Sequence, residues 1–154
     1  MTAKGIEADI EARIRAALVA EALCAETVDQ DGNAKETAFR SWSVDDEPAE
    51  DFEETEYPAI GIIWEPAQSA DGGAGVFNDV PVIVRVMTHH SQDPKKAELN
   101  RLYSDVRYVL QQPLTGFTAV SYAKLILDGG DSGVENNEQF IEIQATAKAC
   151  GTAA

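Results

Sequence analysis

The chain has 154 residues, and its 12 Lys and Arg against 27 Asp and Glu give a formal net charge of −15. A chain of this length can bury its own core, so we predict a single domain over residues 1–154 that needs no disulfide or metal staple. Its apolar runs are far shorter than the roughly 18–20 residues that cross a bilayer, so we expect neither a membrane protein nor a secreted precursor. The acidic balance also disfavours tight binding to nucleic acid, because phosphate binding depends on clustered Lys and Arg.

The first predicted element is an amphipathic helix over Ile6 to Ala25, preceded by Gly5. Apolar residues recur there at spacings of three and four, which places them on one face, and the charged residues fall elsewhere on the wheel. The apolar face holds Ile6, Ile10, Ile14, Ala17 and Leu18, and the other side holds Glu7, Glu11, Arg13 and Arg15. Residues 34–44 lack a clear period, so they are either a short strand or an irregular segment.

Residues 45–56 contain eight acids and no basic residue, which is more than half of the net charge. A block of like charge repels itself and rarely packs, so we predict an exposed loop. The alternative is a charged surface directed at another molecule. The acids are Asp45, Asp46, Glu47, Glu50, Asp51, Glu53, Glu54 and Glu56.

Two strands are predicted next, joined by a long loop at residues 65–79. Tyr57 to Trp64 is rich in β-branched and aromatic residues, and Val80 to His90 alternates strictly. One face of the second strand carries Val80, Val82, Val84, Val86 and Thr88, and the other carries Ile83, Arg85, Met87 and His89.

A second helix is predicted from Asp93 to Gln112, with Asp93 as its N-cap and Pro94 at its first position. Its apolar stripe comprises Leu99, Leu102, Tyr103, Val106, Val109 and Leu110, which we expect to cover one face of a sheet. Arg101 and Arg107 fall on the outer side, where they are either available to a neighbouring subunit or simply solvated.

The last third predicts a hairpin of two strands, 120–127 and 139–149, around a loop at 128–138 that is dense in Gly, Asp and Asn. Together the elements predict an α+β fold, with a four-stranded, mainly antiparallel sheet packed by two helices and with long hairpin loops.

No residue pattern nominates an enzyme, a cofactor or a metal site. His89 and His90 are adjacent at a strand end and should point to opposite faces into solvent, so they and Asp93 would not converge on one ion. Cys24 and Cys150 have no local partner and are expected to be reduced thiols in an intracellular protein. Acids around Cys24 would raise a thiol pKa, which disfavours a nucleophilic role.

The order of these elements resembles the tail terminator and tail completion proteins of tailed bacteriophages. The resemblance covers residues 5–149 and rests on the YPAI strand, the VPVIVRVMTHHSQDP strand and turn, and the Leu-x2-Leu-Tyr-x2-Val-Arg helix. The acidic segment at 45–56 departs from the shorter pattern of that family.

The resemblance implies a structural protein of the virion tail or neck, assembled in the host cytoplasm and without catalytic residues. It implies a homo-oligomeric ring, a hexamer in that family, that caps the tail tube and joins it to the head connector or neck protein. DNA would pass through its lumen without tight binding, which an acidic protein suits. The alternatives are another connector, neck or tail-tube subunit, or a small cytosolic binding domain.

Overall fold

The computed structural model of the chain describes residues 3–21, 39, 41–44, 57–65, 68–69, 77–115 and 122–150. These residues form two helices, α1 (Ala3–Ala20) and α2 (Ala97–Leu110), and six strands. The strands are β1 (Ser41–Val44), β2 (Ala59–Trp64), β3 (Gln68–Ser69), β4 (Phe77–His89), β5 (Tyr122–Glu135) and β6 (Glu138–Cys150).

The strands form one sheet in the order β1, β2, β4, β6, β5, with β3 paired to β4. The four long strands are antiparallel to their neighbours, whereas the short β1 runs parallel to β2. The predicted α+β fold is therefore confirmed, and β1 settles the alternatives left open for residues 34–44 where that segment is described. The acidic segment 45–56 lies outside the described residues.

Both helices lie on the same face of the sheet. Val80, Val82, Val84 and Val86 of β4 are buried there in one cluster with the apolar stripes of the two helices, as their alternation predicts. Ile143, Ala147 and Ala149 of β6 join the same cluster. The opposite face of the sheet, called the outer face below, carries the alternate residues of each strand.

Helix α1 differs from the prediction at its start and on its polar side. It includes Gly5 and begins at Ala3, where a glycine costs little because the first turn has few backbone hydrogen bonds to lose. Its described part ends at Glu21, so predicted residues 22–25 cannot be compared. Glu7 is buried rather than solvated, and Glu11 accepts a hydrogen bond from the Trp64 indole N–H at 2.7 Å, which shows that α1 is covered on more than one side.

Helix α2 begins at Ala97, four residues later than predicted, and its N-cap is Lys96 in the left-handed conformation. Asp93 still caps the helix, because its carboxylate accepts the backbone N–H groups of Glu98 at 3.1 Å and Leu99 at 2.9 Å. The chain makes a turn between them, which the local motif did not reveal.

The predicted loop at 128–138 is wrong. Strands β5 and β6 remain paired through Glu135 and Glu138, and only Asn136 and Asn137 form the turn. Both have positive φ, 47° and 68°, which suits a two-residue hairpin. Position 130 requires glycine, because a Cβ there would collide with the Glu142 carbonyl oxygen of the paired strand. Pairing with β6 thus overrides the turn propensity of these residues.

Candidate assembly surface

The two arginines singled out from the sequence lie on the solvent side of α2. Arg101 has a side chain that is 60% exposed, and its guanidinium lies 3.6 Å from Asp105 and 4.0 Å from Glu98. Arg107 donates to the Tyr103 hydroxyl at 3.2 Å. Exposed pairs of this kind contribute about 0–1 kcal/mol, so a partner carboxylate can exchange for them at little cost.

Tyr108 lies on the same side of α2 and is 62% exposed. It follows Arg101 by seven residues and Asp105 by three, so the three side chains share one stripe of the helix. Exposed Tyr beside Arg is typical of protein interfaces. Tyr108 was not among the residues predicted from the sequence, although its position outside the apolar stripe of α2 is a signal for an exposed aromatic residue.

The eight acids of residues 45–56 lie outside the described residues. The residues on either side of the segment are described: Val44 ends β1, and Tyr57 lies two residues before β2. Among the described strands, β1 lies at the end of the sheet order opposite β5, and it pairs with β2.

The outer face carries a charged cluster around Arg85. Its guanidinium lies 3.1 Å from Glu138 and 3.7 Å from Glu142 and Glu135, and it stacks 3.8 Å from the centroid of the Phe140 ring. The Arg85 side chain is only 13% exposed, so these contacts are partly shielded from water. One cation among three carboxylates leaves this end of the outer face acidic.

Tyr57 closes the same end of the outer face. Its hydroxyl donates to Glu138 at 2.6 Å, and it packs with Ala59 and Met87 in a small second core. The His89 ring lies 5.5 Å from the Tyr57 ring and is half-buried, so the prediction that His89 points into solvent is wrong. The sequence offered one signal for this cluster, since Arg85 is the only charge facing outward between apolar residues of β4.

A buried polar network joins the ends of β4, α2 and β6. Thr88 donates to the Asp93 carboxylate at 3.1 Å, and the Gln139 amide donates to the Asp93 carbonyl at 2.8 Å and to the Thr88 hydroxyl at 3.2 Å. His90 is exposed and contacts Gln139 at 3.3 Å, whereas His89 contacts Ser91 at 2.8 Å. The two imidazoles therefore have different neighbours, and the network links β4 and β6 to the turn that precedes α2.

Strand β5 is an open edge, since β6 is its only partner among the described strands. It is 14 residues long, and it exposes Ile126 by 42% and Val134 by 52%. Unpaired backbone groups on such an edge can accept a strand from another molecule. A bulge between Leu127 and Gly129 interrupts the edge, which limits indiscriminate pairing.

No protein-family model matches the chain, and a search of curated proteins finds no match either. Within the described ranges, no three His, Cys, Asp or Glu side chains are grouped closely enough to hold a metal ion. None of the described helices is long and apolar enough to span a membrane. Cys24 lies outside the described residues, and Cys150 is the last residue of β6.

Proposed function

We propose that the chain is a structural virion protein: a tail terminator that forms a ring, capping the phage tail tube and joining it to the head connector. The observation that carries the proposal is the open edge of β5, which exposes Ile126 and Val134 and pairs with no second strand among those described. A closed ring requires a surface on each subunit that fits a different surface of its neighbour. The edge of β5 and the Arg101 and Tyr108 stripe of α2 are two such surfaces on one subunit.

The charge of the chain is compatible with a DNA passage. A lumen that held phosphates tightly would stop DNA from sliding, whereas carboxylates repel it. This repulsion acts only over a Debye length of about 8 Å at physiological salt, so carboxylates must line the lumen closely to matter. The acids at 45–56 and the acidic outer face are the candidates for that lining.

The first experiment measures assembly. Native mass spectrometry and size-exclusion chromatography with light scattering should find a species of about six times the 16.6 kDa subunit. Val134→Lys places a charge on the open edge and should shift the population toward monomers, whereas the control Ala16→Lys, at an exposed position of α1 away from both proposed surfaces, should not. A chain that stays monomeric at high concentration and binds no tail-tube protein contradicts the proposal.

The partner is tested by mixing the chain with the tail-tube protein and the connector protein from the same genome. A terminator should bind both, at opposite faces of the ring. Binding to the connector protein alone favours the alternative of a connector or neck subunit. Binding to neither by a monomeric chain favours the alternative of a small cytosolic binding domain.

The acidic segment is tested by replacing its eight acids with Ser and Asn. A lumen position predicts intact rings in which DNA ejection is slowed. A partner-binding role predicts that heads and tails fail to join. Normal assembly with normal infectivity contradicts both roles.

A further inference from the structure

The outer face holds a groove that the Arg85 cluster does not occupy. It has a volume of about 300 Å³ and lies across the middle strands of the sheet. Its floor is apolar and half-buried, formed by Ile63, Pro81 and Ile83, and Gln144 and Thr146 of β6 line one side. Ile126 stands opposite Thr146 in the neighbouring strand and extends the apolar surface.

Asp128, at the bulge in β5, supplies the acid on one rim of this groove. At the bulge, two residues, Asp128 and Gly129, take the place of one residue in a regular strand. The φ of Gly129 is 143°, a backbone conformation that residues other than glycine rarely adopt. Asp128 lies two residues after Ile126 and so shares its face of the sheet, and its carboxylate accepts a hydrogen bond from the Thr146 hydroxyl at 2.7 Å. That bond fixes one carboxylate oxygen and leaves the other for a ligand.

Glu65 supplies a second acid, at the end of β2. Neither Glu65 nor Asp128 forms an ion pair with any Lys or Arg among the described residues. Two cations of the outer face are already engaged, because Lys148 pairs with Asp79 at 2.9 Å and Arg85 pairs with Glu138 at 3.1 Å. The groove therefore combines an apolar floor with two carboxylates that pair with no cation in the part of the chain that the structure describes.

We propose that this groove binds a Lys or Arg side chain presented by an extended segment of a partner protein. The aliphatic stem of such a side chain would lie along Ile63 and Ile83, and its cationic head would reach Asp128 and Glu65. Nucleic acid and anionic lipid surfaces do not fit, because their phosphates would meet two unneutralised carboxylates. The proposal does not depend on ring formation.

The test uses the isolated full-length chain with its isoleucine methyl groups labelled for NMR. The probe is the peptide acetyl-Ala-Leu-Arg-Leu-Ala-amide, and the matched probe has Gln in place of Arg. Only the Arg peptide should shift the Ile63 and Ile83 resonances, and added salt should weaken its binding. Equal shifts with both peptides, or no shift at Ile63 and Ile83, overturn the proposal.

The variants separate this groove from the general acidity of the chain. The double variant Asp128→Asn with Glu65→Gln should weaken the affinity for the Arg peptide about fivefold, since two exposed charge pairs are removed. The Asn oxygen can still accept the Thr146 hydroxyl, so the fold is preserved. The control Asp105→Asn removes a carboxylate from α2 and should leave the affinity unchanged. Equal weakening by the control overturns the proposal, and so does a concentration-dependent shift of Ile63 and Ile83 without peptide, which would mean that a second copy fills the groove.

Discussion

The buried Asp93 carboxylate tests how much the polar network at the start of α2 contributes to the free energy of unfolding. It is 5% exposed and accepts three hydrogen bonds, from the backbone N–H groups of Glu98 and Leu99 and from the Thr88 hydroxyl. Asp93→Ala removes the helix cap, which is worth about 0.5–2 kcal/mol, and leaves the Thr88 hydroxyl without this acceptor. Together these losses amount to about 3 kcal/mol of the free energy of unfolding.

The assay is urea denaturation followed by far-UV circular dichroism, with a thermal melt as a second measure. A loss of this size lowers the melting temperature of a chain this long by about 6–12 °C. Asp93→Asn keeps one acceptor oxygen and should lose roughly half as much, about 1.5 kcal/mol. The slope of the denaturation curve should not change, because the surface exposed on unfolding stays the same.

Asp105→Ala is the matched control, because Asp105 lies on the same helix but is 48% exposed and pairs with the exposed Arg101. It should change stability by no more than about 0.5 kcal/mol. If Asp93→Ala and Asp105→Ala have the same melting temperature, the network does not hold α2 to the sheet, and this prediction is refuted.

Three further substitutions test the core and the sheet. Leu102→Asp places an unpaired charge at a fully buried position of α2 and should lower the free energy of unfolding by about 4 kcal/mol in a urea titration. If its melting temperature equals that of the exposed control Ser104→Asp, the apolar stripe of α2 is misassigned. Gly130→Ala should lower the melting temperature by several degrees, because the new Cβ meets the Glu142 carbonyl oxygen and pushes β5 away from β6. Amide hydrogen exchange along β5 should then become faster, and unaltered exchange would contradict the pairing of β5 with β6 at this position. Trp64→Phe removes the indole donor to the α1 glutamate and should cost about 1 kcal/mol, which the denaturation midpoint checks.

The open edge of β5 should also affect how readily the chain associates in solution. Natural sheets protect long edges with charges, bulges or covering segments, and β5 has a bulge and acidic neighbours but exposes Ile126 and Val134. A ring would bury this edge, which gives the proposed assembly a physical reason beyond the resemblance. The β5 variant Val134→Lys therefore also reports whether the edge drives association.

Local periodicity was enough to predict most of the core. The apolar stripes of α1 and α2 and the alternation of β4 lie on single faces because each helix or strand has a fixed repeat, and burial of those faces needs no information from distant residues. Leu99, Leu102 and Val106 are buried in α2 as the spacing predicts, and so are the even-numbered valines of β4. The α+β class follows from the order of these elements.

The candidate surfaces depend on contacts between residues far apart in the sequence, so only the tertiary structure could decide them. Asp128 looked like a turn residue, and its place on the outer face results from the continuation of β5 in its pairing with β6. Arg85 gains its partners because β6 runs antiparallel beside β4 and brings Glu138 and Glu142 within ion-pair distance. The sequence by itself therefore determined which faces are apolar, since that information is local. The structure decided which polar side chains meet, because that depends on the register of strands separated by some fifty residues.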